Sequence, residues 1–179
     1  MLSKISYREA IELAYFGASV IHPKTIKPLQ NKEIPLFVKS FIEPEAPGTT
    51  IQSAGGNDHL IPSFIVKKNQ VLITISSADF SFINEDALAR IFEIFYTNRI
   101  KINLMQNSAL NFSVLVDGDK VHLETLLAKL NPSFKCKYNE GVELVTIRHY
   151  NHATITQMTR GREILIEQRS RQTARFVIR

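Results

Sequence analysis

The sequence has few of the features that point to a membrane-spanning or secreted protein. Cys136 is the single cysteine, so no disulfide can form within the chain, and a reducing, cytoplasmic compartment is expected. No apolar run approaches the roughly 18 residues that a membrane helix requires, and the first residues lack the apolar stretch of a secretory signal. Tryptophan is absent. These absences favour a cytoplasmic globular protein without a membrane partner.

The sequence also lacks the common motifs of a self-sufficient active site. It contains neither a GxxxxGK[ST] loop nor a GxGxxG turn after a predicted strand, so no standard phosphate cradle is expected. The pair Gly55-Gly56 fits a flexible linker better than a phosphate loop. His149 and His152 could share a metal ion, but no third ligand lies near them in sequence. We therefore expect no catalytic residue, no metal and no cofactor in this chain.

The charge is ordinary in amount but uneven in its distribution. Charged residues make up 22% of the chain and hydrophobic residues 44%, which suits a folded domain with a real core. Residues 148–179 contain seven arginines against Glu163 and Glu167, an excess that equals the net charge of +5 of the whole chain. Such a cluster could bind nucleic acid or an acidic partner, or it could form a solvated surface.

Residues 6–23 carry the signals of a helix whose two ends are both specified. Ser6 and Glu9 have the spacing of a capping box, in which a hydroxyl and a carboxylate bind the free amides at a helix start. Gly17 suits the left-handed turn that ends a helix, and Pro23 suits the first turn of another. Residues 42–61 are rich in proline and glycine, which predicts a loop or linker.

From residue 62 onward, strand and helix patterns follow the order of a ferredoxin-like fold. The predicted elements are a strand at 70–76, a helix capped by Asn84, a hairpin of strands 101–106 and 111–116, a leucine-striped helix ending before Pro132, and a strand at 133–138. This βαββαβ order predicts an α+β fold with an antiparallel sheet and both helices on one face. Many functions use this fold, so it does not name one.

The last residues resemble a shortened second copy of the same pattern. Predicted strands at 142–150, 162–170 and 173–179 surround at most a short helix. Aligning the two hairpins places Gln168 under Gln106 and Ser170 under Ser108. The strand at 62–68 is expected to fill the vacant edge of this partial copy.

Two polar clusters are expected at the ends of neighbouring elements of the complete copy. One is the loop SSADFSFINED at 76–86, and the other is the hairpin tip QNSALN at 106–111. Loop amides and a helix N-terminus favour a carboxylate, while amide oxygens such as those of Asn103, Gln106 and Asn107 can accept from an ammonium group. An amino acid carries both groups. The alternative is that these residues have a purely structural role and only form turns.

Several stretches closely resemble the C-terminal portion of aspartate kinases, namely ELAYFGASVIHPKTIKP, IPLFVKS, PGTTI and KINLMQNSALNFSVLVD. The resemblance runs from Ile5 to Arg179. It implies a parent enzyme that uses ATP and magnesium to make 4-phospho-L-aspartate for lysine, threonine and methionine synthesis. The family's catalytic and nucleotide-binding residues have no counterpart here, so the resemblance implies that this chain alone is inactive.

The resemblance also implies a binding site for an inhibitory amino acid at the seam between paired ACT domains. The family's effector positions correspond here to Ser81, Asn84, Ala87, Leu88, Ile102, Asn103, Asn107 and Ser108. Lysine-inhibited relatives often have an acid at the position of Asn103 and a Ser-Glu pair at Ser108-Ala109. Loss of both acids weakens the case for lysine and makes threonine, or a degenerate site, more plausible.

The resemblance therefore predicts a feedback-regulated portion of an aspartate kinase that forms a homodimer through its ACT domains. The expected parts are a kinase-domain remnant (1–48), a linker (49–61), an ACT domain (70–138) and a partial second ACT domain (62–69 and 139–179). Two alternatives stay open: a dimerisation module without a ligand, and a basic ferredoxin-like nucleic-acid-binding domain. The second offers only Phe112 for base stacking on its central strands.

Overall fold

The computed structural model describes residues 3–18, 21–53, 58, 61–79 and 81–179. The chain divides into two compact units. The first unit comprises residues 1–66, 145–162 and 166–176, and the second unit comprises residues 67–144, 163–165 and 177–179. Gly55 and Gly56, predicted to be part of a flexible linker, lie outside the described residues.

The described chain contains five α-helices and nine strands. In chain order these are β1 (Lys4–Ser6), α1 (Tyr7–Phe16), α2 (Pro23–Asn31), β2 (Leu36–Val38), β3 (Thr49–Gln52), β4 (Ser63–Ser77), α3 (Glu85–Thr97), β5 (Ile102–Asn107), β6 (Asn111–Asp117), α4 (Leu123–Leu130), β7 (Phe134–Arg148), α5 (His152–Thr159), β8 (Ile164–Arg169) and β9 (Thr173–Ile178). Among the residues described, no helix has the length and apolar character needed to cross a bilayer.

The first helix begins and ends at the residues that the sequence predicts. The hydroxyl of Ser6 accepts a hydrogen bond from the amide of Glu9 at 3.0 Å. Gly17 ends α1 in the left-handed conformation, with φ at 118°, which costs a glycine little because it has no Cβ. Pro23 is the first residue of α2, as predicted.

The reciprocal half of the predicted capping box is wrong. The carboxylate of Glu9 does not return to the amide of Ser6, because it binds the guanidinium of Arg148 instead. The amide of Ser6 donates to both carboxylate oxygens of Asp58, at 3.0 and 3.2 Å. A charged guanidinium is a stronger donor to a buried carboxylate than a neutral backbone amide is, so the tertiary contact prevails over the local one.

A small sheet completes the N-terminal part of the first unit. Its strand order is β1-β3-β2, with β3 parallel to β1 and antiparallel to β2. The prediction of a loop or linker over 42–61 is therefore wrong for Thr49–Gln52, which forms the central strand of this sheet. Ile51 on that strand packs in a core with four other buried residues of the unit, Ile5, Tyr7, Ala10 and Ile26.

The second unit has the predicted ferredoxin-like arrangement. Strand β6 pairs antiparallel with both β4 and β5, so that Val114 lies opposite Ile73 on one side and Met105 on the other. One buried cluster joins residues of both helices to one face of the sheet; its members include Ile73, Ile75, Ile91, Phe95, Phe112, Val114, Leu126 and Leu130. Both helices thus cover the same sheet face, which confirms the predicted α+β fold.

Two predicted pairs of strands are each continuous in the structure. The strands expected at 62–68 and 70–76 form β4, and those expected at 133–138 and 142–150 form β7. Within them, Asn69 and Gly141 adopt positive φ values of 50° and 69°, so each long strand is locally irregular where the prediction had placed a break. The six-stranded sheet has the order β5-β6-β4-β7-β9-β8, so β4 lies between β6 and β7.

A buried ion pair connects α1 to β7 within the first unit. Glu9 and Arg148 are each only 5% exposed, and Nη2 of Arg148 lies 2.6 Å from Oε2 of Glu9. Nη1 of Arg148 also donates to the hydroxyl of Thr173 on β9 at 2.7 Å. His149 Nε2 lies 3.1 Å from the same Glu9 oxygen. One carboxylate and one guanidinium therefore join three segments that are far apart in the sequence.

Burial and hydrogen bonding act in opposite directions on this carboxylate. Burial alone raises the pKa of Glu9, but the hydrogen bonds and charge of Arg148, together with those of His149, outweigh it, so the pKa of Glu9 is lowered. Hydrogen bonding to Glu9 in turn raises the pKa of Arg148. Both groups are therefore held in their charged forms.

The first prediction concerns the substitution Glu9→Gln. It leaves the Arg148 guanidinium buried without its counter-charge, so the free energy of unfolding is expected to fall by about 3–5 kcal/mol. Urea denaturation at neutral pH measures the change. The control is Glu12→Gln, since the Glu12 carboxylate is 36% exposed and lies 3.8 Å from Arg148. We expect the control to cost less than about 1 kcal/mol. Equal losses in the two variants would contradict the assigned importance of the buried pair.

The second prediction concerns acid stability. Because the pKa of Glu9 is lower in the folded chain than in the unfolded chain, the stabilisation it supplies is complete above the unfolded value of about 4.3. It is lost as the pH falls through the lower folded pKa. Urea denaturation across this acidic range should show a shallower pH dependence in Glu9→Gln than in the unmodified chain. Parallel curves for the two proteins would refute this assignment.

Candidate functional site

The two polar clusters predicted from the sequence meet at one end of the second unit. The amide of Ile83, in the loop before α3, donates to the carbonyl of Ala109 in the hairpin tip at 2.9 Å. This bond brings the loop that carries Ser81 and Asn84 against the tip that carries Asn107 and Ser108. All four of these polar residues are exposed. Phe80, which belongs to the predicted loop cluster, lies outside the described residues.

The hairpin tip is fixed by its own serine. The amide of Ser108 donates to the carbonyl of Asn111 at 2.8 Å, and the amide of Asn111 donates to the hydroxyl of Ser108 at 3.2 Å. The Ser108 hydroxyl also donates to the Asn111 carbonyl at 3.1 Å. These bonds satisfy backbone groups within the turn, as the purely structural interpretation of the sequence expected. They also hold the tip in a defined conformation.

An aspartate organises the loop between β4 and α3. Oδ1 of Asp79 accepts hydrogen bonds from the hydroxyl of Ser77, from the Ser81 hydroxyl at 2.6 Å and from the Ser81 amide at 3.0 Å. The hydrogen bond from Ser77 is the largest of the effects that hold the pKa of Asp79 well below its ordinary value, and those from Ser81 follow. Asp79 is therefore an exposed carboxylate that stays ionised and can accept from an ammonium group.

The start of α3 is capped as the sequence predicts. Oδ1 of Asn84 accepts from the amide of Ala87 at 3.0 Å, and the amide of Leu88 donates to the Asn84 carbonyl at 2.9 Å. The side chain of Ala87 is buried in the core, and Leu88 packs against that core while partly buried. Ala87 and Leu88 therefore serve the helix and its packing, whereas Asn84 lies at the surface.

An open cleft of about 460 Å³ lies beside this loop, within the size range of small-molecule sites. The residues that line it include Ser77, Asp79, Ser81, Asn84, Ala87, Arg90 and Phe134. The guanidinium of Arg90 lies 5.8 Å from the centre of the Phe134 ring. One ionised carboxylate and one guanidinium thus border the same cavity. That pairing is complementary to a zwitterion with a carboxylate and an ammonium group.

Ile102 and Asn103, the remaining predicted positions, lie at the other end of strand β5 from the hairpin tip. Ile102 is partly buried against the core. The side-chain amide of Asn103 donates to Gln70 and to Asp117, in each case at 2.8 Å, and its oxygen accepts from Lys67 at 3.0 Å. Within one copy of the chain, the structure therefore divides the predicted set into two groups.

The network around Asn103 also affects a neighbouring carboxylate. Burial raises the pKa of Asp117, but hydrogen bonds from Gln70 and Asn103 and the charges of Lys67 and Lys120 outweigh it and lower the pKa overall. Asp117 is therefore held ionised beside the side chain of Asn103. The network ties β5 to β4 and β6 at this end of the sheet.

Among the residues that line the cleft, Asp79 belongs to the predicted loop cluster but was not named as an effector position, and Arg90 and Phe134 lie outside both predicted clusters. A local signal existed for Asp79, because serines two residues before and two residues after an aspartate commonly bind its carboxylate in turns. No local signal marked Arg90 and Phe134. Their association depends on α3 packing beside the start of β7, 44 residues farther along the chain in sequence number.

Other reactive side chains of the described residues do not form a metal or nucleophile site. No group of three or more histidine, cysteine or acidic side chains is arranged there to hold a metal ion. Cys136 packs against the core, and burial raises the pKa of its thiol to about 11. A thiol with that pKa is almost entirely protonated near neutral pH, and the thiolate is the nucleophilic form.

Comparison with known proteins finds a family match for the N-terminal segment and relatives that cover most of the chain. The Amino acid kinase family model matches residues 1–40. Lysine-sensitive aspartokinase 3 of Escherichia coli is 30% identical over 153 residues, which cover 82% of this chain and 34% of that protein. The chain therefore spans about a third of the length of this relative.

Solved structures show the same fold. The crystal structure of E. coli aspartokinase III in complex with lysine and aspartate matches with a TM-score of 0.78 at 24% identity, covering 98% of this chain and 42% of that one. A putative C-terminal regulatory domain of aspartate kinase from Porphyromonas gingivalis matches with a TM-score of 0.57 at 16% identity, covering 66% of this chain and 86% of that one. The chain is thus homologous to the C-terminal region of aspartokinases, comprising the end of the amino acid kinase domain and the regulatory ACT region.

Proposed function

We propose that this chain is the amino-acid-sensing, regulatory portion of an aspartate kinase. The parent enzyme would use ATP and magnesium to phosphorylate aspartate, and the chain alone is expected to have no kinase activity. The observation that carries the proposal is the cleft that both ionised Asp79 and Arg90 border. An effector there would contact Ser81 and Asn84, while the hairpin tip with Asn107 and Ser108 meets the same loop through the bond from Ile83 to Ala109.

Lysine and threonine are the two effectors that fit the proposal. The α-ammonium of either amino acid can donate to Asp79, and its carboxylate can bind Arg90. The E. coli relative is named for its sensitivity to lysine and has been crystallised with lysine. The neutral side chains of Asn103 and Ala109 in this chain favour the uncharged side chain of threonine.

A homodimer would reunite the two groups of predicted residues. Strand β5 lies at the edge of its six-stranded sheet, and an edge strand can pair with a second copy. An antiparallel pairing about a two-fold axis at Met105 would set Asn103 of one copy opposite Asn107 of the other, since opposed residue numbers then sum to a constant. Ile102 and Asn103 would then approach the hairpin tip of the partner.

Regulation in this proposal is a shift between two arrangements of the parent enzyme. An effector can shift such an equilibrium only by binding one arrangement more tightly than the other. Strands β4 and β7 supply a covalent route for that bias, because each runs without interruption through residues of both units. The expected domain boundaries at 1–48, 62–69, 70–138 and 139–179 belong to this proposal, whereas strand β3 (Thr49–Gln52) occupies the start of the linker expected at 49–61.

The third prediction tests the effector site by calorimetric titration with lysine and threonine separately. We expect one of them to bind, and Asp79→Asn and Arg90→Gln each to weaken that binding about tenfold or more, as loss of a charged hydrogen-bond partner does. Asp119→Asn is the matched control, because Asp119 is an exposed carboxylate outside the cleft. Equal weakening by Asp79→Asn and Asp119→Asn would exclude the cleft. Binding of neither amino acid would favour a ligand-free dimerisation module.

The fourth prediction tests the proposed dimer at Met105, which is 53% exposed in the single chain. Met105→Glu would place two carboxylates opposite each other at the two-fold axis, and like charges in that position are destabilising. Sedimentation should show a dimer for the unmodified chain and for Met105→Gln, and a monomer for Met105→Glu. A dimer that persists in Met105→Glu with unchanged affinity would rule out pairing through β5.

A further inference from the structure

A second cleft, lined by arginines, lies within the first unit. Helix α1 forms one wall, and the turn between β8 and β9 forms another, and together they border about 810 Å³ of open space. The charged residues that line it are Arg8, Glu12, Arg148, Arg169, Arg171 and Arg175. None of them borders the cleft around Asp79. Five cations against one carboxylate make this a strongly positive cavity.

The arginines of this cleft differ in how far their charge is already compensated. Arg148 is bound by Glu9, and Arg169 is paired with Glu167. Arg8 and Arg171 are exposed, and no ion pair is formed by either of them within the described part of the chain. The cleft therefore retains positive charge on α1 and on the facing turn.

Arg175 also lines the cleft, and its side chain is partly buried. Its guanidinium lies 5.3 Å from the centre of the Phe16 ring, which also lines the cleft. Burial lowers the pKa of Arg175, because it disfavours the charged form. An anion in the cleft would relieve that cost.

The turn between β8 and β9 is held rigidly enough to present its arginines. The amide of Ser170 donates to the Thr173 carbonyl at 2.8 Å, and the amide of Thr173 donates to the Ser170 hydroxyl at 3.2 Å. The hydroxyl of Tyr150 also donates to the Ser170 carbonyl at 2.9 Å. Arg169 and Arg171 flank Ser170 directly, so the scaffold that fixes the serine also fixes their backbones.

The same turn occurs in the other copy of the repeat with different chemistry. Ser108 and Asn111 make the same two bonds, at 2.8 and 3.2 Å, that Ser170 and Thr173 make. Arg169 and Arg171 thus take the places held by Asn107 and Ala109. The repeat keeps its turn and replaces a neutral tip with a doubly cationic one, which is the change expected if the second tip meets a different ligand.

From these features we infer that the arginine-lined cleft is a binding site for a small phosphate-bearing anion. A guanidinium can donate two parallel hydrogen bonds to the oxygens of one phosphate group. A polyphosphate has enough oxygens to bind several arginines at once, whereas a single carboxylate has only enough to bind one arginine in this way. The volume lies within the range of small-molecule sites. A concave cleft walled by a helix and a turn favours a compact ligand over an extended nucleic acid strand.

The test uses calorimetric titration of the whole chain with inorganic tripolyphosphate at low ionic strength. We expect binding at ligand concentrations below about 1 mM. The double variant Arg8→Gln/Arg171→Gln is expected to weaken it by about tenfold for each arginine removed. Arg99→Gln/Arg160→Gln is the matched control, because it removes the same charge from exposed residues outside the cleft. Amide shifts of Ser170 and Gln172 in nuclear magnetic resonance spectra would locate the ligand.

A gain of affinity provides a separate check. Glu12 is the single carboxylate among the described residues that line the cleft, so Glu12→Gln should tighten tripolyphosphate binding severalfold. Equal losses in the two double variants would reduce the effect to general charge attraction and overturn the site. Binding of single-stranded RNA with a steep salt dependence, and no binding of tripolyphosphate, would overturn the small-ligand assignment in favour of nucleic acid. Absence of any binding would overturn it outright.

Discussion

The buried contact between Glu9 and Arg148 is the interaction on which the first unit depends. It joins the first helix of the chain to the end of a strand 139 residues later, at 2.6 Å and with both side chains almost fully enclosed. Each ion alone would carry a large desolvation cost, so each makes the other tolerable. The bond from Arg148 to Thr173 extends the contact to β9, and the N-terminal segment belongs to the same compact unit as residues 145–162 and 166–176.

This contact also explains a choice of partners at the start of α1. A capping box needs the Glu9 carboxylate at the helix start, yet Arg148 requires it as a counter-ion. In the structure, Glu9 binds Arg148, and the amide of Ser6 donates to the carboxylate of Asp58 instead. An apolar residue in place of Glu9 would leave a buried guanidinium unpaired, whereas an amide donor at a helix end can find another acceptor. The need of the buried Arg148 charge for a counter-ion therefore determines which hydrogen bonds form at the start of α1.

The internal repeat gives the chain two similar turns with different surroundings. In the complete copy, the tip around Ser108 meets the loop before α3 through the bond between Ile83 and Ala109. In the partial copy, the tip around Ser170 borders an arginine-lined cleft. The backbone hydrogen bonds of the turn are the same in both, so the difference lies in the side chains that flank the serine. The same turn geometry thus presents two different sets of flanking side chains within one chain.

Local features of the sequence predicted most of the fold. The cap at Asn84, the left-handed end at Gly17 and the alternation of strand and helix patterns are properties of neighbouring residues, and each of them is confirmed. Thr49–Gln52 was misassigned because the prolines and glycines around it indicate a loop locally, whereas its parallel pairing with β1 is a long-range contact. The breaks expected within β4 and β7 turned out to be positive-φ positions that long strands accommodate.

The candidate site shows the same division. The sequence by itself determined which loop and which hairpin carry the short polar side chains, because such residues compete locally for backbone hydrogen bonds. Only the tertiary structure decided that Ser81, Asn84, Asn107 and Ser108 share one end of the unit while Asn103 lies at the other. It likewise decided that Glu9 faces Arg148. Such partnerships depend on packing across more than a hundred residues, and no local pattern specifies which distant charge a buried carboxylate will meet.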